Sequence, residues 1–436
     1  MKKMFSLVFS LFLALSLAAC GSGGNSGKDS TGQTNNSSGG EITGQTIKVL
    51  VSEEPGNGNP FATALRDWEA ATGNKVDIIV IPYDDQLAKF PAMAKNKDLP
   101  DLISTTRLHQ LYPDEFVDMS TVVDTSEFVP TALKIVGKDY LSDKIVGLPI
   151  QYTTTNIYYN KDAFEKAGLN VPTVDQPWTL DELYANAAVL QEKGGVKYGF
   201  AADPSRARYD NLVYANGGSL VEKAGDSFAV AVNSPQNVAT LERFIEENNK
   251  VMPKAIWSGG TSDNPADYFK NGDVGIYLSG SWNYSSFSND IKSFKFGVMP
   301  SPKGSAGRSA IIGGGAVAVP ENAKNKEAAK SFVQWFFEQD NFKNYLNNDK
   351  GLSALNNVIY EPQTEEGKKD YQILQAEVGN VSDLFMIDES SAWRTFLDNE
   401  YRDAIKRAVS GEITAKQALD GFAKALAEKS GWSMKY

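Results

Sequence analysis

From Ile47 onward, apolar and polar positions fall into blocks that read as strands separated by helices. Ile47-Lys48-Val49-Leu50-Val51 is a short β-rich run, and residues 76–81 form a second, continuous apolar one ended by Pro82. Between them Phe61, Leu65 and Trp68 recur at helical spacing over residues 61–71, until Thr72-Gly73 stops the pattern. A helix over 86–94 follows, and Asp101-Leu102-Ile103 opens a third strand. Strand, helix, strand, helix, strand predicts right-handed crossovers and a mostly parallel sheet flanked by helices. The ligand of such a sheet sits outside the carboxyl ends of its strands.

A second unit begins near Pro149. Residues 154–159 read as a strand, and 162–167 as a helix stopped by Gly168. Thr179 caps a helix over 180–192, and Glu182 completes a capping box. Strands over 274–278 and 294–299 enclose a helix near 284–288. Gly313-Gly314-Gly315 leads into a strand over 316–319, and a helix over 326–338 buries Ala329, Phe332, Val333 and Phe336. The end is helical, over 393–408 and, after Gly411, over 415–428. At 436 residues the chain exceeds what one core supports, so two lobes are expected.

The start of the chain reads as an address. Lys2 and Lys3 precede an apolar stretch over 4–17, which is short for a membrane span and ends Leu17-Ala18-Ala19-Cys20. That ending resembles the bacterial lipobox. It implies cleavage after residue 19 and lipid attachment to Cys20. Residues 21–46 hold almost nothing but Gly, Ser, Thr, Asn and Gln, too polar to offset the entropy of ordering. As a flexible coil of about 25 residues this tether spans roughly 25–30 Å.

Composition removes several classes of function. The net charge is −11, which offers nothing to draw nucleic acid. One Cys and one His exclude a disulfide framework and most zinc sites, and no cofactor or metal is expected. No P-loop, HExxH, GxSxG or EF-hand pattern occurs. His109 stands alone and reads as a surface or capping residue. Acids are plentiful, so a glycosidase pair stays open, though nothing marks one out. Aromatic residues make up 11% of the chain. Most of them read as core, Trp68, Trp178 and the Phe332-Trp335-Phe336 face included. Trp282, after Ser279-Gly280-Ser281 at a strand end, and Trp393, after Asp388-Glu389-Ser390-Ser391, sit at element edges instead. Flat aromatic faces near amides and carboxylates suit sugars.

Longer motifs make the resemblance specific. Val146-Gly147-Leu148-Pro149, then Asn156-Ile157-Tyr158-Tyr159-Asn160-Lys161-Asp162-Ala163-Phe164-Glu165-Lys166-Ala167-Gly168-Leu169, resemble the extracellular solute-binding proteins of ABC importers. So do Pro177-Trp178-Thr179-Leu180-Asp181-Glu182-Leu183, Leu99-Pro100-Asp101-Leu102-Ile103, and Asn271-Gly272-Asp273-Val274-Gly275-Ile276 with Gly280-Ser281-Trp282. The likeness runs over residues 47–429 and is greatest to the maltodextrin- and sugar-binding branch.

The resemblance implies a two-lobe, type II periplasmic-binding-protein-like α/β fold with the ligand in the cleft. Lobe 1 is expected over 47–151 and 304–377, and lobe 2 over 152–303 and 378–436, with crossings near Gln151, Gly304 and Val378. By the same likeness Trp282 and Trp393 stack on sugar, and Trp257 joins the contact set. Tyr152 and Gly314 face the cleft beside the hinges, and Glu53 or Glu54 grips hydroxyls. Thr105 stands where maltodextrin binders carry a tryptophan, so Thr106 and Arg107 are expected to supply hydrogen bonds there. An arginine fork suits an acidic or heavily hydroxylated sugar. The implied function is a monomeric substrate-binding lipoprotein on the outer face of the cytoplasmic membrane of a Gram-positive cell. It captures a carbohydrate, an oligosaccharide above all, and delivers it to a membrane permease; it is not an enzyme. The alternatives are a lipid-anchored glycoside hydrolase and a ligand-binding accessory to a membrane sensor.

Overall fold

Period-two alternation decides where strand β1 (Thr46–Val51) points. Ile47, Val49 and Val51 enter one core, while Leu50 enters another on the opposite face. In the computed structural model, which describes residues 42–52, 59–258 and 263–436, this two-sided burial recurs along the sheet. The strands are β2 (Lys75–Val80), β3 (Leu102–Thr105), β4 (Leu148–Asn160), β5 (Tyr198–Ala202), β6 (Val221–Ala224), β7 (Ser227–Val230), β8 (Val274–Gly280), β9 (Phe296–Met299), β10 (Ile312–Ala318) and β11 (Ser433–Met434). Their order is β2-β1-β3-β10-β4-β8-β5, with β9 also on β4; β11, β7 and β6 form a small separate sheet.

β4 carries the chain between the two large cores. Its first half gives Leu148, Ile150 and Tyr152 to one, and its second half gives Ile157 and Tyr159 to the other. The stretch between them, Thr153-Thr154-Thr155-Asn156, is polar and buried. The chain comes back through residues 300–311 into β10. It crosses a third time at the Asp383–Ser390 helix, where Phe385 belongs to the first core and Ile387 packs on the second. That crossing lies several residues beyond the expected Val378. The returning segments are tied together: Glu377 pairs with Arg308 and accepts the Ser301 N–H at 3.1 Å.

The sheet is more mixed than the strand–helix alternation predicts. β1 pairs parallel with β2 and β3, and β5 pairs parallel with β8. β10 runs antiparallel to β3 and β4, and β4 runs antiparallel to β8 and β9. The physical reason is the crossing itself, because a chain that leaves along β4 returns alongside it in the opposite sense. The three glycines at 313–315 lie within β10 rather than ahead of it.

Local signals mostly hold. Asn59 caps the Pro60–Thr72 helix by accepting the Ala62 N–H, and Gly73 ends it at φ 73°. Trp68 is fully buried there, edge-on to Phe332 at 5.5 Å. Both bonds of the Thr179–Glu182 capping box are present. Asp101 anchors β3 by accepting the N–H groups of Lys48 and Asn325 at 2.9 and 2.7 Å. The C-terminal helix starts at Arg394 and is broken at Leu397 (φ −149°, ψ 73°). His109 is a correction. It is fully buried, with Nε2 2.6 Å from the Val136 carbonyl oxygen, and burial pushes its pKa down to about 4.

Candidate functional site

Parallel pairing puts the ends of β5 and β8 side by side, and that juxtaposition builds the site. Ala202 pairs with Leu278, so Asp203, the next residue, lies beside Ser279. Asp203 accepts hydrogen bonds from the Tyr277 hydroxyl on one oxygen and from the Ser279 hydroxyl on the other. Burial raises its pKa against those bonds. Ser205 then caps the Arg206–Ala215 helix, and its first turn presents Arg206 and Arg208.

The two arginines are held differently. Arg206 donates to Asp210 at 2.8 Å and to Glu389 at 2.9 Å, and Glu389 also accepts from Arg394 at 3.2 Å. Burial alone would raise the Glu389 pKa, but Arg394 and Arg206 outweigh it and hold the carboxyl below its ordinary value. Arg208 donates to the Ser279 carbonyl, and its guanidinium lies over the Trp282 ring, 5.1 Å from the centroid. Arg394 reaches from the second lobe to the first, standing 5.6 Å over the ring of Tyr140. Burial raises the Tyr140 hydroxyl to about 12. Beside this contact is a cavity of about 330 Å³. One wall carries Leu87, Leu111 and Tyr112, and the other Arg394, Thr395 and Asn399. The arrangement can stack a ring, donate from guanidinium groups and accept on carboxylates. Among the described residues no cluster of three His, Cys, Asp or Glu side chains is placed to hold a metal.

The residues expected from the sequence divide. Trp282 is 40% exposed at the end of β8, next to Arg208. Arg107 is buried within electrostatic reach of Tyr140, with Thr106 exposed beside it. Three aromatics are corrections. Tyr152 packs in the first core, because β4 turns that face inward before the crossing. Trp257 is fully buried in the second core; its Nε1 donates to the Ala202 carbonyl at 3.0 Å, so it braces the end of β5 from behind. Trp393 is also fully buried, edge-on to Tyr401 and Phe422 at 5.7 and 6.0 Å, with Arg206 over its ring. Gly314 is explained by close approach, since a Cβ there would lie 1.9 Å from the Gln151 carbonyl oxygen. Glu53, Glu54 and Cys20 lie outside the described residues.

Asp203, Arg206, Arg208, Glu389, Arg394 and Tyr140 were not singled out from the sequence. A signal existed for the first three. Tyr198-Gly199-Phe200-Ala201-Ala202 is a strand-like run, and Asp203-Pro204-Ser205-Arg206 follows it as a turn with a cap.

Residues 40–341 match the family model described as bacterial extracellular solute-binding protein. The arabinooligosaccharide-binding protein of Bacillus subtilis is 24% identical, across 98% of this chain and 100% of its own. The galactooligosaccharide-binding protein of the same organism is 23% identical, across 96% and 95%. Among solved structures, maltose-bound MalE3 of T. maritima superposes with a TM-score of 0.74 at 20% identity, across 88% of this chain and 99% of its own.

Proposed function

The chain belongs to the bacterial extracellular solute-binding protein family, and from that premise we propose that it captures a carbohydrate for an ABC importer. It is a binding protein, not an enzyme. The observation that carries the carbohydrate reading is Trp282, a half-exposed ring at the carboxyl edge of the sheet, set among buried arginine and carboxylate side chains. Such a ring takes the C–H face of a sugar, and the charged groups take its hydroxyl rim. The relatives named for arabino- and galactooligosaccharides support an oligosaccharide as the ligand.

Selection and delivery follow from the two lobes. A ligand that contacts both shifts the population toward the closed form, and the closed form is what a permease receives. Hydroxyls buried without partners cost roughly 1–3 kcal/mol each, so the cleft discriminates by matching hydrogen bonds. Lipid on Cys20 and the polar residues that follow it keep this monomeric carrier at the outer face of the membrane. The expected tether is shorter than 21–46, since Ile42 packs on the first core, the Gln45 N–H donates to Asn74 and Thr46 opens β1. Among the described residues no helix is long and apolar enough to cross a membrane.

Calorimetric titration of the purified protein against neutral and acidic oligosaccharides tests the reading, with chromatography of each mixture afterwards. Saturable binding with the sugar recovered intact is the expected result. Conversion of the sugar, or no binding across the panel, would overturn it.

A further inference from the structure

We infer that Arg208 is the ligand-selecting cation of this site, and that the sugar it selects carries a negatively charged group beside Trp282. The inference rests on the carbohydrate reading and names the class of sugar.

Arg208 is an unusual arginine for its surroundings. It is only 4% exposed, yet among the described residues it forms no ion pair. Among the described residues its guanidinium makes one hydrogen bond, from Nη1 to the Ser279 carbonyl oxygen, and its buried Nε has no partner. The neighbouring arginines are provided for: Arg206 has Asp210 and Glu389, and Arg394 has Glu389. Asp203 acts on Arg208 electrostatically, but it accepts from Tyr277 on one oxygen and from Ser279 on the other. The cation is therefore balanced through space and not in contact.

A buried guanidinium without a contact partner is costly, and a binding site is where such a cost has a use. The guanidinium lies over the Trp282 ring, which is itself 40% exposed, so the buried cation sits directly beside the open face of the site. A neutral hydroxyl satisfies an N–H but not the charge. A carboxylate, phosphate or sulfate oxygen satisfies both, through hydrogen bonds about twice as strong as neutral ones. The same ligand would set its ring against the exposed indole. An acidic sugar, either a uronate or a sugar ester of phosphate or sulfate, fits both halves of the pair.

The test uses sugar pairs that differ only in charge: galactobiose with digalacturonate, and glucose with glucose 6-phosphate. Inorganic phosphate separates a free anion from a sugar ester. Each is titrated into the full folded body and into Arg208→Met and Arg208→Lys variants. The acidic member should bind at least about ten-fold tighter than its neutral partner at low salt. The advantage should shrink as salt rises, vanish in Arg208→Met and survive in part in Arg208→Lys. Equal binding of neutral and acidic members, or a preference that persists in Arg208→Met, overturns the inference and leaves the carbohydrate reading standing. Phosphate binding as tightly as the sugar phosphate overturns the sugar half. Failure of every sugar to bind removes the carbohydrate reading, and this inference with it. If Arg208→Met does not fold, Arg208→Lys and the salt dependence of the wild type decide the same question.

Discussion

The six-membered ring of Trp282 lies where a side chain on Gly280 would have to go. A Cβ built on Gly280 would come 1.8 Å from Cζ3 of the indole. The glycine lets the ring fold back over the end of β8, which holds it beside Arg208. Gly280→Ala should therefore displace the ring without opening either core. We expect sugar affinity to fall about ten-fold, about 1.4 kcal/mol, with a changed tryptophan emission spectrum and a small change in melting temperature. Unchanged affinity and emission would show that the ring position does not matter.

Trp282 and Trp393 should part company when each is replaced by alanine. Trp393 is fully buried against Tyr401 and Phe422, so Trp393→Ala should cost about 3–5 kcal/mol of stability. Trp282→Ala should cost much less stability and about 1–2 kcal/mol of binding, its stacking contribution. Urea unfolding and sugar titration on both variants settle the contrast. A Trp393→Ala protein of normal stability that binds weakly would return that residue to the ligand site.

His109 gives stability a pH dependence with a definite sign. Its folded pKa of about 4 lies below the ordinary 6.5, so the unfolded chain binds the extra proton. The contribution is complete above pH 6.5 and is lost as pH falls toward 4, amounting to about 3 kcal/mol at most. Buried Asp349 and Asp388, raised mainly by burial to about 6 and about 7, act in the opposite direction over part of this range. The comparison of wild type with His109→Gln isolates the histidine. Urea midpoints of the two should converge as pH falls from 6.5 to 4, and parallel curves would rule the effect out.

Glu389 joins two arginines behind the site, and its side chain is 9% exposed. Glu389→Gln leaves Arg206 with Asp210 and removes the Arg394–Glu389 ion pair. A loss of about 3–5 kcal/mol is expected, the range for breaking a buried pair from one side. Replacing Lys89, whose pair with Asp85 is open to solvent, should cost under about 1 kcal/mol. Equal small losses at both positions would mean that the buried network is solvated.

Closure should be visible in solution. If ligand bridges the lobes, small-angle scattering will show a smaller radius of gyration at saturating sugar. No change at saturation would argue against a hinged cleft.

Much of the architecture was legible in the residues themselves. Alternation in Ile47 to Val51, the capping pair Thr179 and Glu182, and the stops at Gly73 and Gly168 act within a few residues, so local chemistry determined them. The family motifs were local too, and Asp101 shows why, since it bonds the backbone of β1 and of the 325 turn. Sequence could not tell which edge aromatics face a cleft. Trp282 and Trp393 both follow polar segments, but one is folded over a glycine at a strand end and the other is closed in by Tyr401 and Phe422. Nor could it assign charge in full: Arg206 and Arg208 are two residues apart, Asp210 pairs with Arg206 from the same helix, and Glu389 arrives from 183 residues away to join Arg206 and not Arg208. Periodicity reports what a residue shares with its own element. Partners brought in by the three crossings between lobes are decided by tertiary structure, because long-range packing sets both the burial and the counter-charge each group receives.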